Sequence, residues 1–138
     1  MIERNEETVD RTRNPVATVR RMFDAFRAGD IDALVETVHP ESRWIYYGAN
    51  PQIGIAEFTG RAAVRKFFER ILSRLEVTAF VTDEFVVQEA TVVIFGSESG
   101  IVRSTGRHFR NEWAQKYIVK DGLITGMTEY NIQVEPRG

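Results

Sequence analysis

The chain has 138 residues, no cysteine, 43% hydrophobic and 28% charged residues, and a formal net charge of -2. A chain of this length buries roughly two-thirds of its unfolded surface as one domain, so it needs neither disulfides nor a structural metal to build a core. The absence of cysteine excludes disulfides, thiolate zinc sites, iron–sulfur clusters and thiol nucleophiles together. The near-neutral charge gives no case for nucleic acid or a membrane surface as partner.

No apolar run approaches the roughly 20 residues of a membrane helix, and Met1 to Pro15 lack the apolar block of a signal peptide. A cytoplasmic location is the expectation. Residues 1–14 alternate acids and arginines with little to bury, and are expected to form a flexible arm before a domain spanning 15–135. Asn14-Pro15 opens a helix in which Val16, Val19, Phe23 and Phe26 form one apolar stripe. Gly29 stops that helix, and Asp30 caps a second carrying Ile31, Leu34, Val35 and Val38. His39-Pro40 is expected to end it, with a cationic His39 at the negative helix end.

Ser42 to Gly48 reads as a short aromatic strand containing Trp44 and Tyr46, and Ala49 to Thr59 as a loop. A third helix follows, with Val64, Phe67, Phe68 and Ile71 on one face and a solvated basic stripe on the other. Four long strands are expected from Val77, Thr91, Arg107 and Leu123, with Gly96, Gly100 and Gly126 as sites where they can bend. The order is α-α-β-α-β-β-β-β. This is an α+β fold, with three helices on a strongly curved antiparallel sheet whose concave side can enclose a pocket.

The segments "FDAFRAGDIDALVETVHPESRW", "FTGRAAVRKFFE" and "GRHFRNEWAQKYIVKDGLITGMTEY", in that order, resemble the SnoaL-like group of the nuclear-transport-factor-2-like fold, over about Pro15 to Val134. Its relatives include polyketide cyclases, ketosteroid isomerases, limonene-epoxide hydrolases and noncatalytic binding modules. The resemblance implies a cone-shaped cavity and a homodimer, and does not by itself imply a reaction. In ketosteroid isomerases an aspartate base works with a tyrosine and a protonated aspartate. Aligned on "RAGD", the tyrosine falls on Met22, the base near Tyr46 and the protonated aspartate near Gln115, so that mechanism is not implied. In the limonene-epoxide hydrolase pattern, Glu129 matches the last-strand carboxylate, Glu98 the second acid and Tyr46 the tyrosine. The arginine between the acids falls on Gly96. A histidine sometimes serves the cyclases, and His39 or His108 would be the residue here.

The turn at Lys120-Asp121-Gly122 decides which residues face the cavity. A two-residue turn pairs Lys120 with Leu123, whereas a three-residue loop pairs Val119 with Leu123. The three-residue loop is preferred, because it sets Phe109, Asn111, Trp113, Gln115 and Tyr117 beside Thr125, Met127, Glu129 and Asn131, a mixture suited to a pocket. The outer face would then carry Ile118, Ile124, Thr128, Tyr130 and Ile132, a patch for a second copy of the chain.

Glu129 is the candidate for chemistry, because burial raises a carboxyl's pKa into the range of a general acid or base. Its alternative is a pocket acid satisfied by its neighbours. Tyr46 is the second catalytic candidate, as a donor to a developing oxyanion. Trp44, Trp113 and Met127 are expected to bind a small apolar or aromatic substrate, or else simply to fill the core. Asn111, Gln115 and Asn131 would bind substrate oxygen or hold Glu129. Glu98 sits in "GSESG", expected chiefly as a bulged, partly exposed strand. His108 is expected at the surface, and two distant histidines make no metal site. No cofactor motif is present. The function expected is a small-molecule cavity protein, with acid–base catalysis of hydrolase, cyclase or isomerase type, or alternatively a noncatalytic binding or dimerisation module.

Overall fold

The computed structural model describes residues 14–48 and 53–135; the expected arm lies outside them except for Asn14. Asn14 Oδ1 accepts hydrogen bonds from the amides of Val16 and Ala17 at 2.8 and 3.4 Å, and so opens helix α1, Pro15–Ala28. Asp30 opens α2, Ile31–Glu36, by accepting from Ala33 N at 3.1 Å. This helix ends earlier than the sequence suggested. The Thr37 hydroxyl donates to Leu34 O at 2.7 Å, and Val38 already pairs with Ile124 in strand β1, Val38–Tyr47. Proline at 40 denies His39 the helical region, and the sheet draws the boundary back a further residue or two. His39 therefore caps no helix; its Nδ1 accepts from the Glu41 amide at 2.9 Å.

A second correction falls in the expected loop, whose residues 49–52 lie outside the described part. Its remainder contains strand β2, Ile55–Thr59, paired antiparallel to β1 with Trp44 opposite Phe58 and Tyr46 opposite Ala56. The flanking proline and glycines masked the alternation of "IAEFT". Helix α3, Arg61–Arg74, follows, then β3, Leu75–Gln88, β4, Thr91–Val102, β5, His108–Lys120, and β6, Leu123–Val134. The order is thus α-α-β-β-α-β-β-β-β, and the six-stranded sheet runs β2-β1-β6-β5-β4-β3. All neighbours are antiparallel except β1 and β6, because the first strand enters the sheet beside the last. The α+β class and the curved sheet against three helices stand as expected from the sequence.

Bends in the long strands have a visible cause. The β3–β4 ladder shifts register beside Val77, opposite Gly100, and beside Thr82, opposite Gly96. A Cβ on Gly96 would lie 2.3 Å from Val81 O and 2.5 Å from the Trp113 ring, so only glycine lets the three strands close up there.

The β5–β6 hairpin corrects the expected turn while keeping its outcome. Asp121 and Gly122, with φ of 52° and 78°, form a two-residue turn that pairs Lys120 with Leu123. Thr18 of α1 donates to Gly122 O at 3.3 Å and pins it. A bulge follows at once, since Val119 pairs with Ile124 but Ile118 pairs with Gly126, leaving Thr125 as the extra residue. Beyond it Tyr117 faces Met127, Gln115 faces Glu129 and Trp113 faces Asn131. The bulge inverts the phase of β6, so Ile124, expected outside, is fully buried, while Tyr130 and Ile132 stand 57% and 65% exposed on the outer face. Between the inner face and the helices lies a core that includes Leu34, Trp44, Ile94 and Tyr117.

Candidate functional site

The core does not close completely. A cavity with about 550 Å³ of empty space, mouth included, lies between α1, α3 and the inner face of the sheet. Phe23 and Phe26 reach it from α1, Phe67 and Phe68 from α3, Trp44 from β1 and Phe80 from β3. These rings meet edge to face, as in Trp44 with Phe68 at 5.6 Å and Phe26 with Phe80 at 5.2 Å between centroids, an arrangement that fixes each wall by its neighbour. The Trp44 indole N–H donates to Ser42 Oγ at 2.9 Å, so the ring offers the cavity carbon surface only.

One end of the cavity is polar, and strand register builds it. Glu98 on β4 stands opposite Asn111 on β5, Gln115 opposite Glu129 and Trp113 opposite Asn131, which lines up two acids and three amides across adjacent strands. Gln115 Nε2 donates to Glu129 Oε1 at 2.8 Å, and Asn131 Nδ2 to Glu129 Oε2 at 2.7 Å. Asn131 Nδ2 also lies 3.5 Å from Glu98 Oε2, which accepts from Asn111 Nδ2 at 3.0 Å. The Tyr117 hydroxyl donates to Gln115 Oε1 at 2.8 Å. Gln115 thus spans the two, its carbonyl accepting from Tyr117 while its N–H₂ donates to Glu129.

These surroundings act on the acids in opposed ways. Burial raises the Glu129 pKa, the Glu98 carboxyl raises it further, and the donors from Asn131 and Gln115 hold it back, leaving it at about 8. Glu98 is also raised by burial, against the pull of Asn111 and Asn131. Burial and then the charge of Glu129 push up both Tyr46 and Tyr117; Glu98 adds to the effect on Tyr46, and Arg70 opposes it there. Near neutral pH the phenols are donors and Glu129 holds a proton that it can release.

Of the residues expected at the site, Trp44, Tyr46, Gln115, Met127 and Glu129 line the cavity. Trp113 does not: it stacks on Phe80 at 5.0 Å, beneath Gly96. Asn111 and Asn131 also lie off the cavity wall and touch the two acids instead. Glu98, expected on a partly exposed strand, lines the cavity, because its parity with Ile94 and Gly96 turns it inward. His108 is exposed, and His39 lies on β1 away from the acids. Missed by the sequence reading were Tyr117 as the donor to Gln115 and the four helical phenylalanines as cavity walls. The two-residue alternation of β5 held the signal for Tyr117, whereas helical spacing does not distinguish a filled core from a hollow one. Among the described residues no three His, Asp or Glu side chains stand together in a way that could hold a metal ion, and no helix is long and apolar enough to cross a membrane.

The same architecture recurs among solved structures. A nuclear-transport-factor-2-like protein from Burkholderia xenovorans is 27% identical, with a TM-score of 0.74 over 85% of this chain and 88% of that one. A ketosteroid-isomerase-like protein from Catenulispora acidiphila in complex with trimethylamine is 18% identical, with a TM-score of 0.71 over 82% and 83%. TerC co-crystallised with polyporic acid is 21% identical, with a TM-score of 0.70 over 84% and 89%. No match is found among curated proteins. The family model of the SnoaL-like domain matches residues 19–127, from the first apolar turn of α1 to the cavity residue Met127 on β6, and the chain belongs to that family.

Proposed function

We propose that the chain is a small-molecule cavity protein whose chemistry is proton transfer by Glu129 on a compact apolar or aromatic substrate. The observation that carries this reading is the placement of Glu129 at the polar end of an aromatic cavity, bridged by the Asn131 amide to a second acid, Glu98. An amide between two acids contributes no charge, so their repulsion favours a state with one proton between them. Such a pair can give and then regain a proton in one cycle, and Glu98 thus joins Glu129 as a catalytic candidate. Tyr46, held protonated, donates to oxygen on which negative charge develops. Neighbouring folds with trimethylamine and with polyporic acid support small-molecule occupancy.

A second reading, a noncatalytic ligand store, is favoured by the two amide donors that already satisfy Glu129. A thermal-shift ligand screen followed by turnover assays on the wild type, Glu129→Gln and Glu98→Gln separates the two. Loss of turnover with binding retained is expected for Glu129→Gln. Unchanged turnover removes Glu129 from the chemistry, and binding without turnover in the wild type favours the store.

The outer face of the sheet is the proposed homodimer surface. Tyr47 and Tyr130 stack there at 5.2 Å, beside the exposed Ile132 and Ile55. Sedimentation velocity should give a dimer for the wild type and a monomer for Tyr130→Asp/Ile132→Asp; a monomeric wild type would refute the assignment.

A further inference from the structure

The polar end of the cavity holds more acceptors than donors. Glu98 and Glu129 receive hydrogen bonds from the neutral amides of Asn111, Gln115 and Asn131. The two carboxyls line the cavity, and the side chains that hydrogen-bond them are all neutral, so no countercharge sits against them. None of the described residues lining the cavity is Lys, Arg or His. Its walls are instead the rings of Trp44, Phe67, Phe68 and Tyr46, whose faces attract cations.

We propose that the cavity takes a compact organic amine in its ammonium form, with the nitrogen beside Glu98 and Glu129 and the carbon body against the aromatic wall. This rests on the reading of the cavity as a small-molecule site, and names the class of molecule that site selects. The ammonium brings N–H donors to the two carboxyls that line the cavity and the countercharge that lets both acids ionise. It thereby sets the protonation state from which Glu129 acts as a base. An anionic ligand would meet two acids without a cation to receive it.

The groups facing Glu129 are Glu98 from β4, Tyr46 from β1 and Tyr117 from β5, with Arg70 of α3 acting on Tyr46. Of these, Glu129 is the group whose titration falls near neutrality. Since burial and Glu98 hold Glu129 at about 8, an ammonium that needs it ionised must displace a proton at lower pH. Affinity then falls tenfold per pH unit well below that value, about 50-fold from pH 8 to pH 6.

Isothermal titration calorimetry of the full chain with benzylamine, benzyl alcohol and benzoate at pH 6 and pH 8 tests this, since benzylamine stays protonated across that range. The expected result is benzylamine binding about 50-fold tighter at pH 8, weaker and pH-independent binding of benzyl alcohol, and no binding of benzoate. Glu98→Gln should weaken benzylamine at least tenfold and leave benzyl alcohol unchanged. If benzyl alcohol or benzoate binds as tightly as benzylamine at pH 8, or benzylamine shows no pH dependence in the wild type, the amine assignment is overturned while the cavity reading stands. Binding of none of the three overturns both.

Discussion

Replacing Glu129 by glutamine should change the pH dependence of stability more than stability itself. In the unfolded chain Glu129 titrates at its ordinary value of 4.5, and in the folded chain at about 8. A folded pKa above the unfolded one means that the native state holds the proton more tightly. Below pH 4.5 both states are protonated and the acid costs nothing. Between 4.5 and 8 the unfolded state ionises first, so rising pH destabilises the fold, and above 8 the loss is complete. Integrated over the window from pH 5 to pH 8, the loss is about 3 to 4 kcal/mol, or roughly 10 to 15 °C in Tm for a domain of this size. Glu129→Gln removes this slope. It also adds a pH-independent cost of about 1 to 3 kcal/mol, because its new N–H₂ meets a donor from either Gln115 or Asn131. Urea denaturation of both proteins at pH 5, 6, 7 and 8 separates the two effects. The variant should be the less stable protein at pH 5 and should gain on the wild type by about 1 kcal/mol per pH unit. Parallel stability curves across that range would refute the burial argument, whatever the offset between them.

Three further outcomes follow from the same geometry. Tyr117→Phe removes the donor to Gln115, and should cost about 1 to 2 kcal/mol at pH 5 and raise the Glu129 pKa further, read as a fall of stability that continues to higher pH than in the wild type. Gly96→Ala drives a Cβ into Val81 O and Trp113, and should lower stability by about 3 kcal/mol or more in chemical denaturation, since the nearest atom is backbone and cannot step aside. Phe80→Ala removes the ring that closes over Trp113 and meets Phe23 and Phe26. It should destabilise by about 2 to 4 kcal/mol while admitting larger ligands in the thermal-shift screen; unchanged ligand size would show that Phe80 does not limit the cavity.

The parts legible in the sequence were those fixed by local chemistry. Asn14-Pro15 and Asp30 announce helix starts because their side chains accept amides a few residues on, whatever the rest of the fold does. The end of α2 was misjudged for the opposite reason: Val38 leaves the helix to pair with Ile124, a partner far along the chain. The same holds for β2, whose five residues become a strand only when β1 lies alongside. At the site, the inward phase of β5 could be read from its alternation. That of β6 could not be derived from turn length alone, because a bulge after a two-residue turn reaches the same face as the loop expected in its place. The meeting of Glu98 with Glu129 through the Asn131 amide arises from register across three strands, β4, β5 and β6, which no local pattern encodes.

Thr125 gives the bulge a meaning beyond geometry. Between the tight turn and Met127 the strand must contain one residue more than a regular ladder would use, and nothing in the chemistry of the acids themselves secures their inward aim. Deleting a single residue there would carry Glu129 and Asn131 to the face now held by Tyr130 and Ile132, and bring two apolar side chains inward, with every site residue still present in the sequence. In this hairpin, length is inherited information as much as residue identity is. A relative that keeps both acids but differs by one residue between Gly122 and Met127 would be expected to hold its β4 acid inside alone and to carry the β6 acid on the outer face.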